Sequence, residues 1–93
     1  MLKKELRVSS TSGLHARSAQ VIVETVNSFE ARVVLVNENA EADGSSILEL
    51  MMLAAAPGSS VQARVEGPDE VVALKSLEKL FENNFYKDGK DAV

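Results

Sequence analysis

The run Ser60-Val61-Gln62-Ala63-Arg64-Val65-Glu66 constrains this chain more than any other stretch. Its apolar residues Val61, Ala63 and Val65 alternate with the polar Gln62, Arg64 and Glu66. A period of two places the two sets on opposite faces of a strand. Such a strand has one dry face and one wet face, so it belongs to a sheet covered on one side only.

The remaining segments supply that sheet and its cover. Leu2 to Val8 carries apolar residues at 2, 6 and 8 among charges and reads as an edge-like strand. Ser9 to Gly13 is a polar loop. From Ala16, the apolar positions Ala19, Ile22, Val23 and Val26 have helical spacing. Ala31 to Val36 is a strand, Asn37-Glu38-Asn39 a turn, and Ala40 to Asp43 a short return strand. Gly44-Ser45 breaks it, and Ile47 to Ala55 reads as a short apolar helix ended by Pro57-Gly58. After Ser60 to Glu66, Gly67-Pro68-Asp69-Glu70 opens a last helix. Asp69 and Glu70 put negative charge at its positive end. The inward stripe is Leu74, Leu77, Phe81 and Phe85, with Ala73 and Leu80 beside it. The order β-α-β-β-α-β-α predicts an α+β fold, an open-faced β-sandwich in which a four-stranded antiparallel sheet carries three helices on one face. Residues 1–86 form the domain, and 87–93 a flexible polar tail.

With 93 residues, 45% of them hydrophobic, one layered core is feasible without staples. There is no cysteine, so neither disulfides nor thiolate metal sites are available. A formal charge of −4 lacks the basic field that nucleic-acid binding requires. No apolar run approaches the roughly 20 residues that span a bilayer, and the first residues lack the apolar stretch of a signal peptide, so membrane insertion is not expected. A cytoplasmic location is the default expectation.

His15 is the one histidine of the chain, set where the polar loop becomes a helix. The first amides of a helix lack internal acceptors and carry partial positive charge, which makes this end an anion site. The backbone amides of Ala16, Arg17 and Ser18 belong to that first turn. Arg17 adds a fixed cation with forked donors suited to phosphate oxygens. The same positive field disfavours protonation of His15 and keeps its ring neutral and nucleophilic. One histidine among scattered carboxylates gives no metal-ligand spacing, and no cofactor is implied. A structural or surface histidine, a regulatory module and an unrelated small hydrolase are the competing readings on these residues.

Gly13-Leu14-His15-Ala16-Arg17 resembles the active-site motif of the HPr family, the histidine-containing phosphocarriers of the bacterial sugar phosphotransferase system. The resemblance covers nearly the whole chain. Ser46-Ile47 with Leu50-Met51-Met52-Leu53 resembles the family's second motif, Gly58 matches its turn, and Gly67 with Asp69-Glu70 resembles the start of its last helix. Ile47 to Leu53, Gly-Pro before the last helix and the Phe- and Asn-containing end look closer to the nitrogen-type NPr branch. The resemblance implies phosphorylation of His15 on Nδ1 by enzyme I, drawing on phosphoenolpyruvate, and transfer to a histidine of an EIIA-type domain. It implies a covalent carrier rather than a stand-alone enzyme, with Arg17 balancing the phosphoryl charge. Ser18 departs from the proline usual in the family, and Glu49 from the glycine of many sugar-type members.

Ser46-Ile47-Leu48-Glu49 fits the capping box S-x-x-E. In many Gram-positive relatives the matching serine is phosphorylated by an HPr kinase/phosphorylase, so cap and regulatory phosphosite both stay open. With the second comes the alternative of a binding module controlled through Ser46, with little phosphoryl turnover. The helix that follows cannot bury every apolar residue. Leu50 and Leu53 are assigned inside, and Ile47, Leu48 and Met51 outside, where with Leu14 they form an adaptable docking patch. The chain is expected to act as a monomer.

Overall fold

The computed structural model describes residues 1–8, 16–38, 40–53 and 59–83. Seven elements follow in the expected order: β1 (Leu2–Arg7), α1 (Ala16–Asn27), β2 (Arg32–Val36), β3 (Glu41–Asp43), α2 (Ile47–Met52), β4 (Ser60–Glu66) and α3 (Glu70–Glu82). The strands form one antiparallel sheet in the order β1-β4-β2-β3. The alternating strand β4 is thus central, held by β1 on one side and β2 on the other.

Register explains the one-sided cover. Leu6 lies opposite Val61, Leu35 opposite Ala63, and Val33 opposite Val65. All six are buried, as is Ala42 opposite Leu35. The intervening positions, Lys3, Glu5, Arg7, Arg64, Glu66, Arg32 and Glu41, fall on the open face. Because β1 and β2 both run antiparallel to β4, they are parallel to each other, and α1 makes the crossover between them. By the same reasoning α2 crosses from β3 to β4.

Ile22, Leu35, Leu50, Leu77, Val33, Val61 and Val65 are among the fully buried side chains. In α3, Ala73, Leu74, Leu77, Leu80 and Phe81 face inward. The fourth member of the expected stripe, Phe85, lies outside the described residues, as do the boundary at residue 86 and the tail 87–93.

Some expected boundaries shift. β2 begins at Arg32 rather than Ala31, and β3 at Glu41 rather than Ala40. α2 ends at Met52 with Leu53 as its C-cap, instead of running to Ala55; Ala54 to Gly58 lie outside the described residues, as does Asn39 of the β2–β3 turn. In α1, Val21 is buried and Val23 only half-buried. α1 packs against both α2 and α3, which widens its buried arc beyond one stripe.

The loop entering α3 is stitched to the loop leaving α1. The Asp69 carboxylate accepts the Glu30 N–H at 2.7 Å, and the Glu30 carbonyl accepts the Asp69 N–H at 3.1 Å. Asp69 therefore makes no side-chain cap bond to α3; Glu70 instead accepts the Gly67 N–H at 3.2 Å. Gly67 has φ +142°, and a Cβ there would stand 2.7 Å from the Glu30 carbonyl oxygen. Both the conformation and the close approach require glycine.

Leu77 is completely buried on the inward face of α3. Leu77→Ala is expected to lower the unfolding free energy by about 2–5 kcal/mol. Urea denaturation of both proteins measures it, and a loss below about 1 kcal/mol would contradict this packing.

Candidate functional site

α1 starts at Ala16, so its first turn is Ala16, Arg17 and Ser18. Ala16 is exposed and Arg17 half-exposed. Among the three helices, α1 alone has no acidic residue in its first turn; α2 has Glu49 and α3 has Glu70. The positive end of this dipole therefore meets no carboxylate of its own turn. Ser18 is placed differently from its neighbours. It is 1% exposed, and like every buried side-chain oxygen and nitrogen among the described residues, it has a hydrogen-bond partner. The serine that stands in for the family's usual proline is thus a buried member of the first turn. Leu14 and His15, which immediately precede the helix, lie outside the described residues.

The second expected cluster lies on α2, which packs against α1. Ser46 is its N-cap, and its Oγ accepts the Glu49 N–H at 3.2 Å. The reciprocal half of the capping box is not made. The Ser46 N–H donates to the Asp43 carbonyl at 3.0 Å, while Glu49 Oε1 accepts the Asp43 N–H at 3.0 Å. Asp43 completes the turn: its Oδ1 accepts from the Ser45 hydroxyl at 2.7 Å and the Ser45 N–H at 2.8 Å. These two bonds, the hydroxyl's first, hold the Asp43 carboxyl below its ordinary value. The far end of α2 is fastened by Asn37, whose Nδ2 donates to the Leu53 carbonyl at 2.8 Å and whose Oδ1 accepts the Ala40 N–H at 2.9 Å.

Held at both ends, α2 buries Leu50 and Leu53 and leaves Ile47, Leu48 and Met51 outside at 41%, 69% and 44% exposure. Met52 is exposed as well. The resulting ridge is apolar on its solvent side. Two hollows lie elsewhere: one of about 450 Å³ between β1 and α3, the other of about 160 Å³ on the open face of the sheet. Neither is lined by a residue of α1 or α2. Among the described residues no three metal-ligating side chains converge, and no helix is long and apolar enough to cross a membrane.

The family model described as the PTS HPr component phosphorylation site matches residues 2–83. The chain belongs to the HPr family. It is 40% identical over 88 residues to the phosphocarrier protein HPr of Treponema pallidum (strain Nichols), covering 95% of this chain and 100% of that one. It is 34% identical over 88 residues to the phosphocarrier protein NPr of Escherichia coli (strain K12), covering 94% and 98%. The crystal structure of HPr-C-His from Thermoanaerobacter tengcongensis superposes with a TM-score of 0.87 at 31% identity, covering 98% and 99% of the two chains.

Membership makes the chain a phosphotransfer carrier of the phosphotransferase system, with enzyme I and EIIA components as its general partners. The regulatory-module alternative is not favoured. Identity to the HPr of T. pallidum exceeds that to the NPr of E. coli, which gives no support to the lean of the α2 sequence toward the nitrogen branch. The sequence reading missed Asn37, Asp43 and Ser45 as the supports of α2. Asn37 and Asp43 are ordinary turn residues in sequence, and their partners at Leu53 and Glu49 become neighbours only when β3 and α2 pack.

Ser46→Ala removes the one side-chain cap of α2. It is expected to cost about 1 kcal/mol of stability in thermal or urea unfolding, with Ser46→Asp, which can still accept the Glu49 N–H, losing less.

Proposed function

We propose that His15 is the phosphoryl acceptor, phosphorylated on Nδ1 by phospho-enzyme I and discharged to an EIIA-type domain. The observation that carries this reading is the match of the phosphorylation-site model to residues 2–83, a span whose one histidine is His15. The chain enters α1 directly after that residue, at a helix end with an exposed Ala16, the Arg17 guanidinium and no carboxylate in the turn. In the forward step a ring nitrogen of neutral His15 attacks phosphorus, and the bond from phosphorus to the enzyme I donor breaks. The electron pair returns to the donor. The same displacement in reverse sense loads the EIIA acceptor. Arg17 and the first amides of α1 hold the phosphate oxygens in both steps.

Ile47, Leu48 and Met51, with Leu14, form the docking patch that both partners use in turn. Methionine repacks against differently shaped partners at small cost. Ser46 serves first as the cap. An HPr kinase/phosphorylase acting on it would have to take the hydroxyl from the Glu49 N–H. The chain works as a cytoplasmic monomer; the branch, sugar or nitrogen, is set by the EIIA domain it meets.

Incubation with enzyme I and phosphoenolpyruvate, followed by intact-mass measurement, tests the acceptor. The wild type should gain one phosphoryl group that is lost in acid and kept in alkali. His15→Ala should gain none, and Arg17→Ala should gain it more slowly, about 10-fold or more for a lost charge-assisted contact. Equal labelling of His15→Ala, or an acid-stable adduct, would refute the assignment.

Met51→Glu tests the patch. Because Met51 is exposed, the variant should unfold within about 0.5 kcal/mol of wild type, yet bind enzyme I about 10-fold or more weakly in calorimetry. Unchanged affinity would remove Met51 from the interface.

A further inference from the structure

In the order β1-β4-β2-β3, the outer side of β1 meets no other strand among the described residues. The backbone N–H and C=O groups along such an edge are a template for one more strand. α3 runs beside β1 in the same direction: the Met1 ammonium lies 3.7 Å from the Glu70 carboxylate, and the Lys4 ammonium 4.0 Å from that of Glu78. Between them lies the hollow of about 450 Å³, lined by β1 from Lys4 to Arg7 and by Glu78, Phe81 and Glu82 of α3. The chain therefore leaves α3 beside the Arg7 end of β1. Residues 84–93 follow, outside the described residues and beyond the span that the phosphorylation-site model matches.

We propose that residues 88–93 add to β1 as a fifth, antiparallel strand, so that the chain closes its own free sheet edge. Direction follows from where α3 ends. Residues 84–87 suffice to turn back at Arg7, whereas a parallel strand would first have to retrace about 17 Å of β1, using up about half of residues 84–93. Register follows from charge. With Asp88 opposite Arg7, the next pairs are Gly89 with Leu6, Lys90 with Glu5, Asp91 with Lys4, Ala92 with Lys3 and Val93 with Leu2. Every charged pair is then of opposite sign, and the last pair is apolar. A slip of one residue sets Lys87 on Arg7 and Lys90 on Lys4 in one direction, and Asp91 on Glu5 in the other. Slips of two set Lys90 on Lys3 or on Arg7. Like charges directly opposite are destabilising, so these registers are disfavoured. Lys4, already beside Glu78, gains a second carboxylate in Asp91. β1 is the edge farthest from β3, against which α2 packs, so the added strand leaves the exposed ridge of α2 uncovered. It also occupies the backbone groups through which a second copy could pair at this edge.

The chain has no cysteine, so an introduced pair reports one proximity without competition. Lys3 and Glu41 are both exposed on the open face, at opposite edges of the sheet. In the full chain, in dilute solution under mild oxidation, Lys3→Cys with Ala92→Cys should close an intramolecular disulfide about 10-fold or more faster than Glu41→Cys with Ala92→Cys, because directly paired strand residues meet the spacing of a disulfide. A smaller ratio overturns the proposal. So does a product that is chiefly a disulfide-linked dimer, which would put a second copy on the edge. Amide hydrogen exchange followed by NMR supplies the second measurement. In the wild type, alternate amides of residues 89–93 should exchange about 10-fold or more slowly than in an unstructured peptide. Lys90→Glu, which sets a like charge opposite Glu5, should reduce that protection about threefold or more, and Glu5→Lys in the same chain should restore it. Unprotected amides in the wild type, or a Lys90→Glu effect that is absent or that Glu5→Lys leaves unrestored, overturns the pairing.

Discussion

Burial of one side of β4 beneath the helix layer is the contact on which the rest of the structure depends. Val61, Ala63 and Val65 are sealed, while Gln62, Arg64 and Glu66 on the same strand are not. A central strand with one dry face admits helices on that face only. Two crossovers, α1 and α2, must then return over the same side. Both arrive packed against each other. The side of the molecule that carries α1 and α2 is a consequence of covering a sheet once.

The supports of the site are mostly backbone groups answered by short side chains. α2 spans only Ile47–Met52, too short to hold itself by helix propensity. Its orientation comes from tertiary hydrogen bonds: Ser46 and Glu49 at one end, Asn37 at the other. A similar division holds at α3, where Asp69 serves the loop leaving α1 and Glu70 holds the turn. Asp69 was legible as a dipole partner and Glu49 as half of a capping box, but both carboxylates are spent on neighbouring segments. Which amide a carboxylate takes depends on loops brought together by folding.

The proposed site is legible in the sequence because its residues are local. His15, Arg17 and the absence of acid in the following turn can be read from consecutive residues. The inside–outside division of the apolar residues was legible too: Leu50 and Leu53 are three apart, and Ile47, Leu48 and Met51 lie on other faces of so short a helix. Less legible were the ends of elements, set by tertiary hydrogen bonds rather than by propensity. Val21 went unread because its burial depends on α1 meeting two helices at once.

The sequence by itself determined the order of elements and the one-sided sheet, and it singled out the histidine proposed as acceptor, since periodicity and a solitary histidine are properties of the chain as written. Only the tertiary structure decided that Glu49 reaches Asp43 instead of closing a capping box, and that Asn37 fastens the end of α2. The physical reason is the same in each case. A polar group bonds to whichever donor or acceptor folding places within about 3 Å, and sequence spacing specifies that neighbour only within a single turn.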